Sequence, residues 1–407
     1  MLTRLLLRTY PALQDRNLRL FFLGWVISSA GTFLQGAAQG WLVYQMTHSA
    51  LAVGITGGLL MVPTMLLAPF GGVIIDKFNT RRVLYVTQLL GMAQAFTLGA
   101  LVVTGHASLA AINLLALALG VINGLDAPAR HTWITELANE DILRSATALN
   151  SLIVNVGLAL GPSVGGFLVE KVGMGGAFFV NGLSFVAVIA TLFFMRVDHL
   201  PGKRNGKSFG MFLPGVRYAA SDPGIRFLLC LSGTAIFLGL PYRTIIPAVA
   251  KEVFHLGPTG YGWLYAAPGF GAIIGATIAS RYSGRRSVKL FIIGGIFVTG
   301  ASLIVFSMMN TFYWGMLALV FSGAGVVGAS TTIRTTLREI VKRKMPAMLG
   351  RVTGIDVALF FGGVAFGNFA IGGLSKWFGV QAAITCSGVA LLLLGAVLLV
   401  KMKKLGA

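Results

Sequence analysis

From Leu20 to Ile75 the chain carries no Asp, Glu, Lys or Arg, and Val83 to Leu125 repeats the condition. A helix that crosses the hydrocarbon core of a bilayer needs about 20 mostly apolar residues. Each stretch therefore holds two spans, hinged at Thr47-His48-Ser49 and at Gly105-His106-Ala107-Ser108. Charged residues make up only 11% of the chain, against about 25% in soluble proteins. Too little polar surface remains to dissolve a fold of this length. A soluble enzyme, a disordered chain and a secreted disulfide scaffold are excluded.

Ser145 to Val169 and Val172 to Met195 each hold one further span. A seventh, Phe227 to Ala250, is interrupted by Arg243, and Val253 to Ser280 is an eighth. Leu290 to Ile333 holds two, hinged at Asn310, and Val352 to Ser375 and Trp377 to Val400 complete twelve. An even number puts both termini on one side. With that side cytoplasmic, only Lys171, Arg243, Lys251 and Lys376 of the 32 Lys+Arg fall on or near the outer side, the asymmetry that orients membrane proteins. The net charge of +20 is thus explained by topology, without nucleic acid. No cleavable signal peptide is visible before the first span.

The longest polar stretch, Arg196 to Arg226, divides the chain into a unit at 1–195, a cytoplasmic loop at 196–226 and a unit at 227–407. A short interfacial helix is expected within the loop around Phe209 to Ala220. A shift of 204 residues lays Gly71-Gly72 through Arg81-Arg82 on Gly275-Ala276 through Arg285-Arg286, and sets Gly124, Arg130 and Thr132 on Gly328, Arg334 and Thr336. A parallel duplication of this kind is the architecture of alternating-access transporters. The expected fold is all-α: twelve transmembrane helices in two pseudo-symmetric bundles of six.

Charges inside the spans are few and expensive, hence functional candidates. Asp126 and Asp356 lie near the inner edge, and Arg243 follows Pro241 near the outer side. Asp356 either takes up protons or makes a structural hydrogen bond. Asp126 is a partner for Arg81 or Arg130. Arg243 either snorkels to the outer interface or contacts substrate. Ser28, Thr32, Gln35 and Gln39 share one face of the first helix, and such a polar stripe must meet protein or water rather than lipid. Asn113, Asn123 and Asn155 are further polar candidates. The five histidines lack metal-ligand spacing, and the chain has no Walker lysine motif, HExxH or GxSxG. No metal, cofactor or catalytic residue is expected. Cys230 and Cys386 lie in apolar runs and imply no disulfide.

The run from Gly71 to Leu84 resembles the loop 2–3 motif of the major facilitator superfamily, with departures at Asn79 and Thr80. Asn tolerates a left-handed conformation, so the turn is expected to survive. Gly157, Gly161, Pro162, Gly165 and Gly166 resemble the superfamily's antiporter motif. Leu125-Asp126-Ala127-Pro128-Ala129-Arg130, followed by Ala148-Leu149-Asn150-Ser151, is similar to the twelve-helix subgroup of drug:proton antiporters that contains macrolide efflux pumps and the enterobactin exporter.

The resemblance implies a cytoplasmic gate latch made of Gly72, Asp76, Arg81, Arg82, Asp126 and Arg130. In it Asp76 caps the eleventh helix near Gly350 to Thr353, and Arg81 reaches Asp126. It further implies that the glycine face of the fifth helix packs on the eighth helix, rich in Gly269, Gly271 and Gly275. It makes the first helix a wall of the central cavity, with Thr32, Gln35, Gln39, Asn113, Asn123 and Asn155 as cavity residues. Gln35→Ala is then expected to alter the substrate profile and leave expression near normal. Asp356, Asp126 and Arg243 become coupling candidates. The function implied is secondary transport: proton-coupled efflux of amphipathic small molecules from a bacterial inner membrane, by a monomer with small-molecule substrate, protons and lipid as partners. The alternatives are a dedicated metabolite exporter, such as a siderophore exporter, or a lysophospholipid flippase.

Overall fold

A computed structural model describes residues 10–197, 212–281 and 288–404 of the chain, without the side chains of 72, 73, 76, 212 and 401–404. Polar caps set where the helices begin. Asp15 accepts from the Leu18 amide at the start of α1 (Arg16–Thr47), and Ser49 from Ala52 at the start of α2 (Ala50–Leu67). A short α3 (Gly71–Lys77) precedes α4 (Thr80–Val103), which Asn79 caps. Ser108 caps α5 (Leu109–Leu137), and Asn139 caps α6 (Glu140–Phe194). Each cap satisfies an amide that the helix leaves unpaired. Asn79 does this from an extended backbone, at φ −70° and ψ 118°. The expected left-handed turn is absent because the side chain is needed as an acceptor.

The 55-residue α6 is two crossings. Gly173 breaks it at φ 75° and ψ 172°, a conformation open to glycine, while nothing lies within 4 Å of where its Cβ would be. Backbone freedom, not space, selects glycine there. The remaining helices are α7 (Phe212–Ser221), α8 (Pro223–Gly239), α9 (Ile246–Glu252), α10 (Pro258–Arg281), α11 (Val288–Met308), α12 (Phe312–Lys344), α13 (Leu349–Phe378) and α14 (Val380–Lys404). Among the described residues eleven helical stretches are long and apolar enough to cross a membrane, and the break at Gly173 brings the crossings to twelve. The interfacial helix expected around Phe209 is α7; residues 209–211 lie outside the described part, as does the second copy of the repeated loop at 282–287.

The crossings alternate between a basic end, where α1 begins and α14 stops, and a far end that carries Thr47, Gly173 and Glu252. Within the N-terminal half α1 and α4 pack on α6, and α5 packs on α2 and α4. Within the C-terminal half α12 packs on α10 and α11, α11 on α14, and α13 on α8. The halves meet along α2 with α13 and α6 with α10. In lipid no hydrophobic force joins helices, so close approach depends on small residues. A Cβ on Gly54 would sit 2.6 Å from the Asn368 carbonyl oxygen, and one on Gly166 would sit 2.3 Å from that of Pro258.

The buried apolar core shows which end is shut. At the far end it runs without interruption through both halves, from Trp41, Val43 and Tyr44 to Tyr242, Ile246 and Tyr261. Near the basic end Phe21, Trp25, Trp133 and Leu192 form a separate cluster, drawn among the described residues from the N-terminal half alone. Apolar packing across both halves closes the far end, while at the basic end the halves still touch where the turn at Ala68–Phe70 meets α13, a Cβ on Gly354 lying 3.7 Å from Pro69.

Candidate functional site

Four contacts among the described residues join the halves at the far end. Trp41 of α1 stacks on Tyr261 of α10 with ring centroids 5.0 Å apart, and the Tyr261 hydroxyl donates to the Ala37 carbonyl at 3.0 Å. The Tyr44 hydroxyl donates to Glu252, and the Thr259 hydroxyl to Glu170. Each of these hydroxyl–carboxylate bonds joins one half of the chain to the other.

Below this closure the expected cavity residues divide. Gln35 is buried, at 2% exposure. Its amide donates to Gln94 at 2.9 Å and accepts from Asn181 at 2.6 Å. This network ties α1 to α4 and α6 and turns the buried Gln35 amide toward protein rather than toward a ligand, which corrects its placement on the cavity wall. Gln39 is likewise buried. Asn113 accepts from Thr56 at 2.7 Å and serves the packing of α5 on α2. Thr32 is half-buried and donates to the Ser28 carbonyl, and half-buried Asn155 donates to that of Ser151. Asn123 is also half-buried. The open side of α1 lies at Gly36, which is exposed and faces empty space, with no atom within 4 Å of a built Cβ.

The gate residues also rearrange. Arg81 does not reach Asp126; it donates to the carbonyls of Leu192 and Met195, the last turn of α6. A cation at a helix C-terminus meets unpaired carbonyls and the negative end of the dipole, which draws Arg81 there. Arg82 is exposed, and the side chains of Gly72 and Asp76 lie outside the described part. Asp126 is buried and accepts from Thr87 and Gln88, both at 2.8 Å, while Arg130 lies 3.3 Å away on the same helix. The Arg130 guanidinium stacks 3.5 Å above the ring of Trp25.

At the repeat position of Arg130, Arg334 forms the corresponding pair with a different acid. Its Nε lies 3.2 Å from Asp356, close but not aligned as a hydrogen bond, and its guanidinium stands 4.5 Å from the Phe360 ring. Asp356 is 2% exposed and accepts from Ser232 at 2.9 Å, so its carboxylate joins α8, α12 and α13. Sequence reasoning placed Arg334 only as a repeat match. Its signal was a second arginine at a position whose first copy already faced an embedded acid.

The antiporter-motif glycines serve two neighbours. Gly157, Gly161 and Gly165 face α1 at Ser29, Ala30, Phe33 and Leu34, within the same half. Only Gly166, with the Pro162 carbonyl, meets Gly262 of α10, and Gly269 meets Ala159. Gly271 and Gly275 turn instead to Val320 and Ala324 of α12. The expected single glycine seam is thus shared, because α6 lies between two helices and needs a small face toward each.

Arg243 sits where the seventh crossing breaks, in a turn over Pro241–Ile245 between α8 and α9. Its side chain does not reach for the far surface. It donates to the Tyr265 carbonyl at 3.4 Å and lies 5.1 Å from the Tyr265 ring.

A family profile described as "Transmembrane secretion effector" matches residues 8–406. The Enterobactin exporter EntS of Escherichia coli O1:K1 / APEC is 28% identical over 415 residues, covering 98% of this chain and 94% of that protein. The same-named protein of Shigella boydii serotype 18 is 27% identical over 413 residues, with the same coverage. Among solved structures, the nucleoside transporter NupG superposes with a TM-score of 0.77 at 12% identity, over 96% of this chain and all of that one. A bacterial homolog of the human lysosomal transporter Spinster, inward-facing and occupied, gives 0.74 at 12% identity, over 94% and 95% of the two chains. These two likenesses concern the fold.

Proposed function

Because the chain belongs to the transmembrane secretion effector family of the major facilitator superfamily, we propose that it exports an amphipathic small molecule by alternating access, with protons as the coupling ion. The basic end is cytoplasmic and the membrane is a bacterial inner membrane. In the far-closed state, cargo enters between the halves from the basic end. The units at 1–195 and 227–407 then rock along α2–α13 and α6–α10 and release it on the other side, as a monomer. When the basic end shuts, Asp76 caps the first turn of α13.

The observation that carries the coupling is the Asp356 cluster. Asp356 lies seven residues into α13, about 10 Å from its start, toward the basic end, where the charge of its carboxylate pairs with Arg334. A proton taken up when the far end opens removes that charge, frees α12 from α13, and is discharged to the cytoplasm when the basic end reopens. Asp126, tied to Thr87, Gln88 and Arg130 within its own half, serves structure.

The test is Asp356→Asn in proteoliposomes, with cargo-driven proton flux and cargo exchange measured on the same protein. Proton flux should vanish while exchange persists. Equal loss of both, or proton flux unchanged, overturns the coupling role. Relatives named enterobactin exporters favour a siderophore as cargo over a drug. Enterobactin is therefore the first substrate to assay, against a panel of amphipathic drugs.

A further inference from the structure

The seventh crossing carries an arginine without a counter-charge. Arg243 is half-buried, its Nε is shielded from solvent without a hydrogen-bond partner, and its one recorded bond is the long contact to the Tyr265 carbonyl. Among the described residues no carboxylate lies within 4 Å of it. The chain has 12 Asp+Glu, and by sequence only Glu170 and Glu252 fall toward the far end. Both already accept hydroxyls from the opposite half, Thr259 and Tyr44. A cation inside a membrane protein is costly unless something compensates it. In the described far half only the Tyr265 carbonyl and ring do so in part, and no carboxylate does.

The surroundings indicate where compensation comes from. Tyr261, the stacking partner of Trp41, closes the space above. One turn nearer the basic end on α10 is Tyr265, against which Arg243 lies. On α1, a Cβ at Gly40 would meet the Tyr261 hydroxyl at 3.4 Å, whereas one turn nearer the basic end Gly36 faces nothing within 4 Å. Gly36 and Tyr265 thus each lie one turn below the closure, Gly36 facing open space and Tyr265 facing Arg243. Arg243 also sits in a turn that interrupts a crossing, the kind of backbone break that marks substrate sites in transporters.

The geometry points to Arg243 as the binding site for an anionic oxygen of the cargo, a carboxylate or acidic hydroxyl carried on an apolar or aromatic body. The inference rests on the transport reading above and adds the charge class of its cargo. A guanidinium offers paired N–H donors that match a carboxylate. The half-buried ring of Tyr265 suits the body of an aromatic ligand, and the absence of a competing acid keeps the arginine available. The cation then selects amphipathic anions over neutral or cationic analogues of the same shape.

The test is equilibrium binding of radiolabelled naphthoate to the full chain in phosphatidylcholine nanodiscs, with naphthamide and naphthylmethylammonium as neutral and cationic competitors. Naphthoate should bind about tenfold or more tighter than naphthamide, the effect of a charge-assisted hydrogen bond of about 1.4 kcal/mol. Arg243→Gln should erase that preference, and Arg243→Lys should keep part of it. If Arg243→Gln does not fold, Gly36→Cys with Cys230 and Cys386 replaced by serine supplies the readout. Naphthoate, and not naphthamide, should protect the new thiol from a hydrophilic reagent. Equal affinity for the acid and its amide overturns the proposal. So does a preference that disappears in phosphatidylglycerol nanodiscs, because the cation is then occupied by a lipid headgroup. Binding is measured without a gradient, so failed proton coupling leaves this result standing, and failed anion preference leaves export standing.

Discussion

Replacing Gln35 with alanine removes two buried interhelical hydrogen bonds at once, the donation to Gln94 and the acceptance from Asn181. Measured interhelical bonds in membrane proteins average about 0.6 kcal/mol each, which sets a floor of about 1.2 kcal/mol. Gln94 and Asn181 are 5% and 2% exposed, so water cannot replace the lost partner. A buried polar group left unpaired costs about 1–3 kcal/mol, and the Asn181 amide loses its one recorded acceptor. The sum is a destabilisation of about 2–4 kcal/mol, read by reversible unfolding of the purified protein in mixed detergent micelles. Transport should fall in proportion to the folded fraction, equally for every cargo. Thr32→Val, one turn from the open face at Gly36, should leave stability near wild type. The reasoning is refuted if Gln35→Ala keeps full stability and alters cargo selectivity, since the amide would then be facing cargo.

Tyr44→Phe deletes one of the hydroxyl–carboxylate bonds between the halves, and about 0.5–1.5 kcal/mol should raise far-end opening roughly 2- to 13-fold. Reactivity of a cysteine placed at the far end checks it. Gly166→Ala sets a methyl group 2.3 Å from a backbone oxygen of the other half, so the far end should fail to close; membrane abundance should stay normal while transport falls. The Lys344 ammonium and the amides of Ile225 and Gly224 hold the Asp222 carboxyl below the usual carboxylate range. An acid depressed in the folded state stabilises above its unfolded pKa and loses that contribution as pH falls through the folded value. Stability should therefore decline more in wild type than in Lys344→Ala as pH is lowered through the acid range, followed by thermal unfolding.

What the sequence made legible is what the bilayer dictates. Uncharged runs fix the crossings, but of the seventh's break into a turn at Pro241–Ile245 they show only the interruption by Arg243. Side-chain partners were harder. Arg81 and Arg130 carry the same charge and are both candidate partners of Asp126 by sequence, yet one meets the carbonyls of Leu192 and Met195 and the other meets Asp126. That choice depends on where α6 ends relative to α4, a distance no spacing rule contains. Gln35 shows the same limit. Its periodicity places it on the polar face of α1, but whether that face meets Asn181 or water is decided by a helix 146 residues away in the chain.

The two arginines at matching repeat positions hold their acids differently. Arg130 grips an acid one turn away on its own helix, whereas Arg334 grips one on the neighbouring helix. An intrahelical clasp is indifferent to how its helix slides, while an interhelical clasp must tighten or slip with every relative displacement. Duplication thus left two copies of one scaffold with unequal mechanics: a stator, whose embedded charge pair travels as a unit, and a rotor, whose charge pair registers movement. Moving the acid from α13 onto α12 at Ser330, the repeat counterpart of Asp126, would give the second copy the first copy's indifference and leave the machine with two stators.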